Sequence, residues 1–220
     1  MGPEDAETGA GPMTDRLPKL VFDGPDDAAW TVALAHGAGA PMDSPFMETM
    51  AALLAEHGLR VARFEFPYMA GRRTEGKKRP PDRQPVLLDV WRAVVAHLGP
   101  DRLVVGGKSM GGRMASLIAD ESGVAGLVCL GYPFHPPGKP EKLRTKHLET
   151  LATPTLICQG ERDTFGTRPE VEAYDLSRAI RFEWLPDGDH SLKPRKASGH
   201  TETENLNRAA EAIAEWVRGL

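Results

Sequence analysis

The chain has 220 residues, a net charge of −4, and 40% hydrophobic against 26% charged residues. That balance suits a packed globular core and excludes wholesale disorder and a surface built to bind nucleic acid along its whole length. No apolar run approaches the ~18 residues of a membrane span. The only cysteines, Cys129 and Cys158, exclude a disulfide framework and a cysteine-rich metal site.

Residues 1–16, MGPEDAETGAGPMTDR, are rich in Gly, Pro, Glu and Asp and are expected to form a disordered tail. They lack a basic stretch followed by an apolar one, so no secretory leader is expected, and a reducing cytoplasm is the simplest setting. The remainder, 17–220, reads as one domain. Strands are predicted at Leu20–Phe22, Trp30–Ala35, Arg60–Phe66, Leu103–Gly106, Gly126–Gly131, Thr155–Gln159 and Arg181–Leu185. Several are unbroken apolar runs, the pattern of strands buried on both faces. Helical patterns fall at Phe46–His57, Pro85–Leu98, Met110–Ser122, Pro169–Ser177 and Thr201–Arg218. Alternating strands and helices predict a doubly wound, mostly parallel sheet. Ligands in such a sheet bind beyond the carboxyl ends of the strands, so the residues after each apolar run are the ones to examine.

After the second strand, His36-Gly37-Ala38-Gly39 resembles the small-residue loop that offers backbone N–H groups to a developing oxyanion. Ala38 is the first choice of donor and Gly39 the alternate; His36 reads as a structural hydrogen-bonding residue. The stretch Ala70–Arg83, predicted as a loop, sets six cations against Glu75 and Asp82, a local charge of +4. It either attracts an anionic substrate or partner or is simply solvated.

The strongest signal is LVVGGKSMGG, residues 103–112. An apolar strand runs into Gly107-Lys108-Ser109-Met110-Gly111 and then a helical pattern, the context a nucleophile elbow requires. A serine on a tight turn needs neighbours without large side chains. The N–H of Met110 would open the helix and face a reacting carbonyl. A phosphate-binding loop is the competing reading, but its first glycine falls where the chain has Arg102. Lys108 beside the serine either eases a nearby negative charge or faces solvent, and Arg113 and Arg195 carry the same two readings.

Beyond the fifth strand, Tyr132, Phe134 and His135 could line an acyl or leaving-group pocket or pack beneath a loop. The stretch before the next strand has room for one short helix, around Lys142–Leu151, which predicts an open site without a large lid. Asp163, with Glu161 as competitor, follows the sixth strand where an acid can orient a histidine. His190 follows the seventh in a tight loop, with Asp187 and Asp189 as solvated turn formers. The order Ser109, Asp163, His190 is that of α/β-hydrolases. Cys129 and Cys158 lie within apolar strands and read as buried, inert thiols.

These motifs together resemble the α/β-hydrolase superfamily. AHGAGAPMDSPFM, GGKSMGGRMAS, LGYPFHPPGKPEKLR, PTLICQGERDTFGT and DGDHSLKPRK are similar to a branch shared by testis-expressed hydrolase-like proteins and a subunit of the non-specific-lethal histone acetyltransferase complex. Bacterial members are called dienelactone-hydrolase-like. The resemblance runs from about Trp30 to the C-terminus and implies a Ser109–His190–Asp163 triad, with no substrate specified. Dienelactone hydrolases proper use a cysteine nucleophile where this chain has Ser109, so a dienelactone substrate does not follow from the resemblance.

The resulting expectation is a serine hydrolase acting on a small soluble ester or thioester, as a monomer or homodimer, without metal or organic cofactor, nucleic-acid partner or membrane. The rivals are a catalytically silent binding or scaffolding module of the same fold and, from the GKS sequence, a nucleotide-binding protein.

Overall fold

The apolar runs become one seven-stranded sheet in the computed structural model, which describes residues 17–220. The expected N-terminal tail lies outside the described residues. The strands are β1 (Val21–Asp23), β2 (Thr31–Ala35), β3 (Arg60–Phe64), β4 (Leu103–Lys108), β5 (Gly126–Leu130), β6 (Thr155–Gly160) and β7 (Ile180–Leu185). Their spatial order is β1-β3-β2-β4-β5-β6-β7. β1 runs antiparallel to β3; every other neighbouring pair is parallel. Every residue of β5 and β6 is buried, as their largely apolar sequences lead one to expect.

Helices cover both faces, and successive strand residues alternate between two cores. Val32, Leu34 and Val104 pack with Met47, Met50 and Leu54 of α1 (Pro45–Glu56) and with Ile213 and Val217 of α7 (Glu202–Arg218). Ala33, Ala35 and Val105 face Trp91 and Val94 of α3 (Gln84–Leu98) and Met114 of α4 (Met110–Ser116). The chain passes from β2 to β3 on one side, then crosses to β4 on the other. The loops after β2 and β4 therefore flank the point where the winding reverses, where a crevice forms.

Three expectations need correction. The stretch from Ala70 is not all loop, because α2 (Pro67–Glu75) occupies its first part. Only Tyr68 and Met69 of that helix are buried, so its sequence carries no apolar stripe. Pro67 opens it, the Tyr68 N–H donates to Asp82 Oδ2 at 2.8 Å, and Gly76 ends it at φ 65°. Three of the six cations of that stretch are engaged: Arg73 pairs with Glu65 and Asp43, both at 2.6 Å, Arg79 pairs with Glu75, and Arg72 donates to the Arg79 carbonyl.

The single helix expected over Met110–Ser122 is two, α4 and α5 (Ala119–Ser122). The Ser116 hydroxyl donates back to the Arg113 carbonyl at 2.7 Å, and Leu117 and Ile118 bond three residues back, which tightens and turns the chain. The helix expected over Pro169–Ser177 is only α6 (Arg168–Val171), opened by a Thr167–Glu170 capping box.

Between β5 and β6 the only regular element among the described residues is a 3₁₀ turn, Lys146–Glu149, so no lid is present. No helix among the described residues is long and apolar enough to cross a membrane.

Trp91 anchors the α3 side of the core. It is fully buried, with its ring edge-on to Phe64 at 4.8 Å. Trp91→Ala is expected to cost about 3–5 kcal/mol in chemical denaturation. On the same helix, Val86→Ala, at a 43%-exposed position, should stay within about 0.5 kcal/mol.

Candidate active site

Ser109 lies between β4 and α4 with φ 51° and ψ −112°, a conformation that costs a non-glycine residue energy. The surrounding glycines allow the turn. A Cβ on Gly107 would lie 2.1 Å from the Ala35 carbonyl oxygen, and one on Gly111 would lie 2.4 Å from the same atom. The β2 backbone thus presses against both sides of the elbow, and no side chain fits there.

His190 sits in the loop after β7, 2.8 Å from Ser109 through Nε2 and 2.8 Å from Asp163 Oδ2 through Nδ1. The structure therefore brings together the three side chains singled out from the sequence. Asp163 is fully buried. Its Oδ1 accepts from the Phe165 N–H and its Oδ2 also accepts from Gln159 Nε2, both at 2.9 Å. Glu161, the competing acid, instead accepts from Arg168 and from the Asp187 N–H.

Two supporting residues were not found from sequence. Phe165 stacks on the imidazole, ring centroids 4.0 Å apart, and lines the cleft beside Ser109. Gln159 is a fully buried amide that bridges Asp163 and the Tyr132 N–H. Its signal was a polar residue closing an otherwise apolar strand.

The His190 loop is pinned on both sides. The Asp187 carboxylate binds Arg195 and Arg162, and the Arg195 hydrogen bonds hold its pKa down to about 2. It is thus paired, not solvated as expected. Lys108 donates from Nζ to the His190 carbonyl and lies 5.3 Å from the Phe46 ring centre. Burial lowers its pKa to about 8 despite the attraction of Asp163 and Asp189. Burial also lowers the His190 pKa, outweighing the Asp163 hydrogen bond, and the Lys108 charge acts in the same direction. The imidazole is accordingly neutral at neutral pH.

The loop after β2 is fixed from behind. His36 Nδ1–H donates to the Gly37 carbonyl at 2.7 Å, and its Nε2 accepts from the Phe66 N–H at 3.1 Å. Burial lowers its pKa, so it is a neutral structural residue. Tyr68 donates to the Ala38 carbonyl at 3.0 Å. The peptides are trans, so a Gly37 carbonyl facing His36 turns the Ala38 N–H the opposite way. Ala38 and Met110 both line a cleft of about 400 Å³ around Ser109. Met110 opens α4, so its N–H has no acceptor within the helix. A Cβ on Gly39 would meet nothing within 4 Å, and Gly39 does not line the cleft.

The pocket expected from Tyr132, Phe134 and His135 is corrected. Tyr132 and Phe134 are fully buried and His135 is 2% exposed, so they pack beneath the cleft. Lys108 is tied to the His190 loop and likewise does not line the cleft. Cys129 and Cys158 are buried, and burial pushes both thiols well up. Among the described residues, no group of three or more His, Cys, Asp or Glu is placed to hold a metal. A second serine–histidine contact, Ser116 to His147 at 2.8 Å, differs in kind: the Ser116 hydroxyl already donates to a carbonyl, and burial pulls His147 down to about 4. A larger cavity, about 790 Å³, lies between Met42, Arg73 and Val86, apart from the three convergent side chains.

Solved structures share this architecture. An α/β serine hydrolase homologue from Coxiella burnetii is 21% identical, covering 91% of this chain and 90% of that one, TM-score 0.65. A lidless α/β serine hydrolase from Xanthomonas campestris is 20% identical over 90% and 88%, TM-score 0.64. Dienelactone hydrolase from Anabaena variabilis is 20% identical over 91% and 90%, TM-score 0.67. Residues 28–218 match the alpha/beta hydrolase domain family model, and the chain belongs to that family.

Proposed function

We propose that the protein is a serine hydrolase that cleaves a carboxylic ester or thioester of a small soluble substrate through an acyl-enzyme. The observation that carries this reading is the continuous hydrogen-bonded line from Ser109 Oγ through His190 to the buried Asp163 carboxylate, with both contacts to the imidazole at 2.8 Å. Asp163 holds the proton on Nδ1, which leaves the Nε2 lone pair for the serine hydroxyl. As Ser109 attacks the substrate carbonyl, His190 takes the hydroxyl proton and Asp163 stabilises the imidazolium. Met110 and Ala38 N–H groups receive the oxyanion, each donor contributing about 3–4 kcal/mol. His190 then protonates the leaving group. Water, deprotonated by the same imidazole, releases the acyl group and restores Ser109.

Ester-cleaving relatives of the same fold support the bond type: a thermophilic esterase from Thermogutta terrifontis is among the structures this chain resembles. The finer likeness to the testis-expressed and non-specific-lethal-subunit branch rests on the quoted motifs and adds no substrate. A cytoplasmic setting belongs to the proposal and is supported by two free thiols.

A fluorophosphonate probe is expected to label Ser109. Ser109→Ala should abolish the adduct, and His190→Ala should slow labelling by roughly 10²–10⁴-fold. A folded protein that takes no label would instead support a silent binding module.

The pH profile gives a second check. Activity requires neutral His190, and both burial and Lys108 favour that form. The rising limb of kcat/KM should therefore have its midpoint below the ordinary histidine value of 6.5. Lys108→Met removes one depressing charge, so the limb should move to higher pH. A shift to lower pH would contradict the assignment of that limb to His190.

A further inference from the structure

The cleft beside Ser109 carries two guanidinium groups, Arg113 and Arg144. Neither makes a side-chain hydrogen bond or ion pair among the described residues, although both are half-buried. Arg113 Nε is fully buried with no partner at all. Arg60 shares a buried, unpartnered Nε, but its guanidinium reaches Asp26 at 3.6 Å, while Arg63 pairs with Asp23 at 2.8 Å and Arg162 with Asp187 at 2.9 Å. The one carboxylate at the cleft, Asp82, pairs with neither arginine, and its Oδ2 accepts from the Tyr68 N–H.

Both residues are firmly placed. Arg113 lies one helical turn beyond the nucleophile, its N–H bonded to the Ser109 carbonyl at 3.0 Å. The Arg144 backbone is clamped: its N–H donates to the Phe134 carbonyl at 2.7 Å, and its carbonyl accepts from the Tyr132 hydroxyl at 2.9 Å. The two charges lie close enough to oppose each other: burial, then repulsion by Arg113, lowers the Arg144 pKa. Guanidinium stays charged throughout the working range of pH. Two such forks held near one another without an acid favour an oxyanion bound between them. The rest of the cleft wall is mainly apolar, with Leu87, Met110, Met114 and Phe165.

We infer that Arg113 and Arg144 form an oxyanion-binding pair and that the substrate is an acidic ester, with a short apolar portion and a carboxylate carried on its acyl or its alcohol side. This rests on the hydrolase reading and deepens it. The arginines are assigned to recognition and the line through Ser109 to chemistry.

The test compares matched esters at low ionic strength. On the acyl side, mono(4-nitrophenyl) adipate is set against 4-nitrophenyl hexanoate; on the alcohol side, 4-acetoxybenzoate against its methyl ester. The charged member of at least one pair should be preferred in kcat/KM by about tenfold or more, and the preference should fall as salt is added. Arg113→Gln and Arg144→Gln should each reduce that ratio about tenfold, and Arg144→Lys should restore part of it. Circular dichroism establishes that each variant is folded.

Ratios near one in both pairs, or ratios that neither Gln variant moves, overturn the inference while ester turnover leaves the hydrolase reading standing. If no ester is cleaved, titration calorimetry with adipate on the same proteins decides. Binding weakened about tenfold in both Gln variants upholds the anion site although the hydrolase reading has failed, and no binding overturns it.

Discussion

A carboxylate without solvent contact must be met by donors, because an uncompensated buried charge costs several kcal/mol. Asp163 is met by three: the Gln159 amide, the Phe165 N–H and His190 Nδ1. Two come from the acid's own segment at the end of β6, and the third comes from the loop after β7. Gln159 closes β6 and also receives the Tyr132 N–H from the segment after β5. Phe165 follows the acid and then stacks on the imidazole that the acid orients. One desolvated charge thus sets the tautomer of His190, and the Phe165 it holds sets the ring plane. Asp187 and Lys108 place the loop after β7, and Asp163 orients the imidazole it carries.

The same burial that makes this carboxylate demanding makes the histidine a usable base. Desolvation disfavours the imidazolium, while Asp163 favours it; the first effect is the larger. Lys108 adds to the first. Its ammonium is held against the backbone of the His190 loop, where it both fixes that loop and discourages protonation of the ring. In the proposed attack the imidazolium would still gain from Asp163, then a full ionic contact in a site of low polarity. The arrangement therefore disfavours the charged histidine at rest and supports it when charge develops.

The sheet was legible because parallel strands buried on both faces write themselves as apolar runs. All seven strands lie within two residues of their expected bounds. The elbow was legible for a related reason: Gly107 and Gly111 mark where the Ala35 carbonyl leaves no space for a side chain. α2 was hidden because a helix that buries only Tyr68 and Met69 has no stripe to read, although Pro67 at its first position was a start signal. The break after Ser116 depends on a hydroxyl returning to its own helix, which local propensity does not reveal. Tyr132 and Phe134 stood at a strand end with the right chemistry for a pocket, but the chain there turns inward and buries them. Sequence order located the rim; which side of the backbone faced the cleft was decided by packing.

That inward turn also bears on how a lidless site would discriminate under the charge recognition inferred above. With only a 3₁₀ turn between β5 and β6, no added layer is present to select a substrate. Selection falls to side chains mounted on elements that are already rigid. Tyr132 and Phe134, lost as pocket walls, clamp the Arg144 backbone from both sides. α4, which must begin at the elbow for Ser109 to be presented, carries Arg113 one turn on. The helix start that presents the nucleophile fixes the Arg113 backbone and the Tyr132–Phe134 turn fixes that of Arg144, so the distance from each arginine backbone to Ser109 is set by the fold itself. A flexible lid could adapt that distance to many substrates. A clamped loop and a helix start cannot, so in the inferred site any adjustment to the substrate's acid falls to the two arginine side chains.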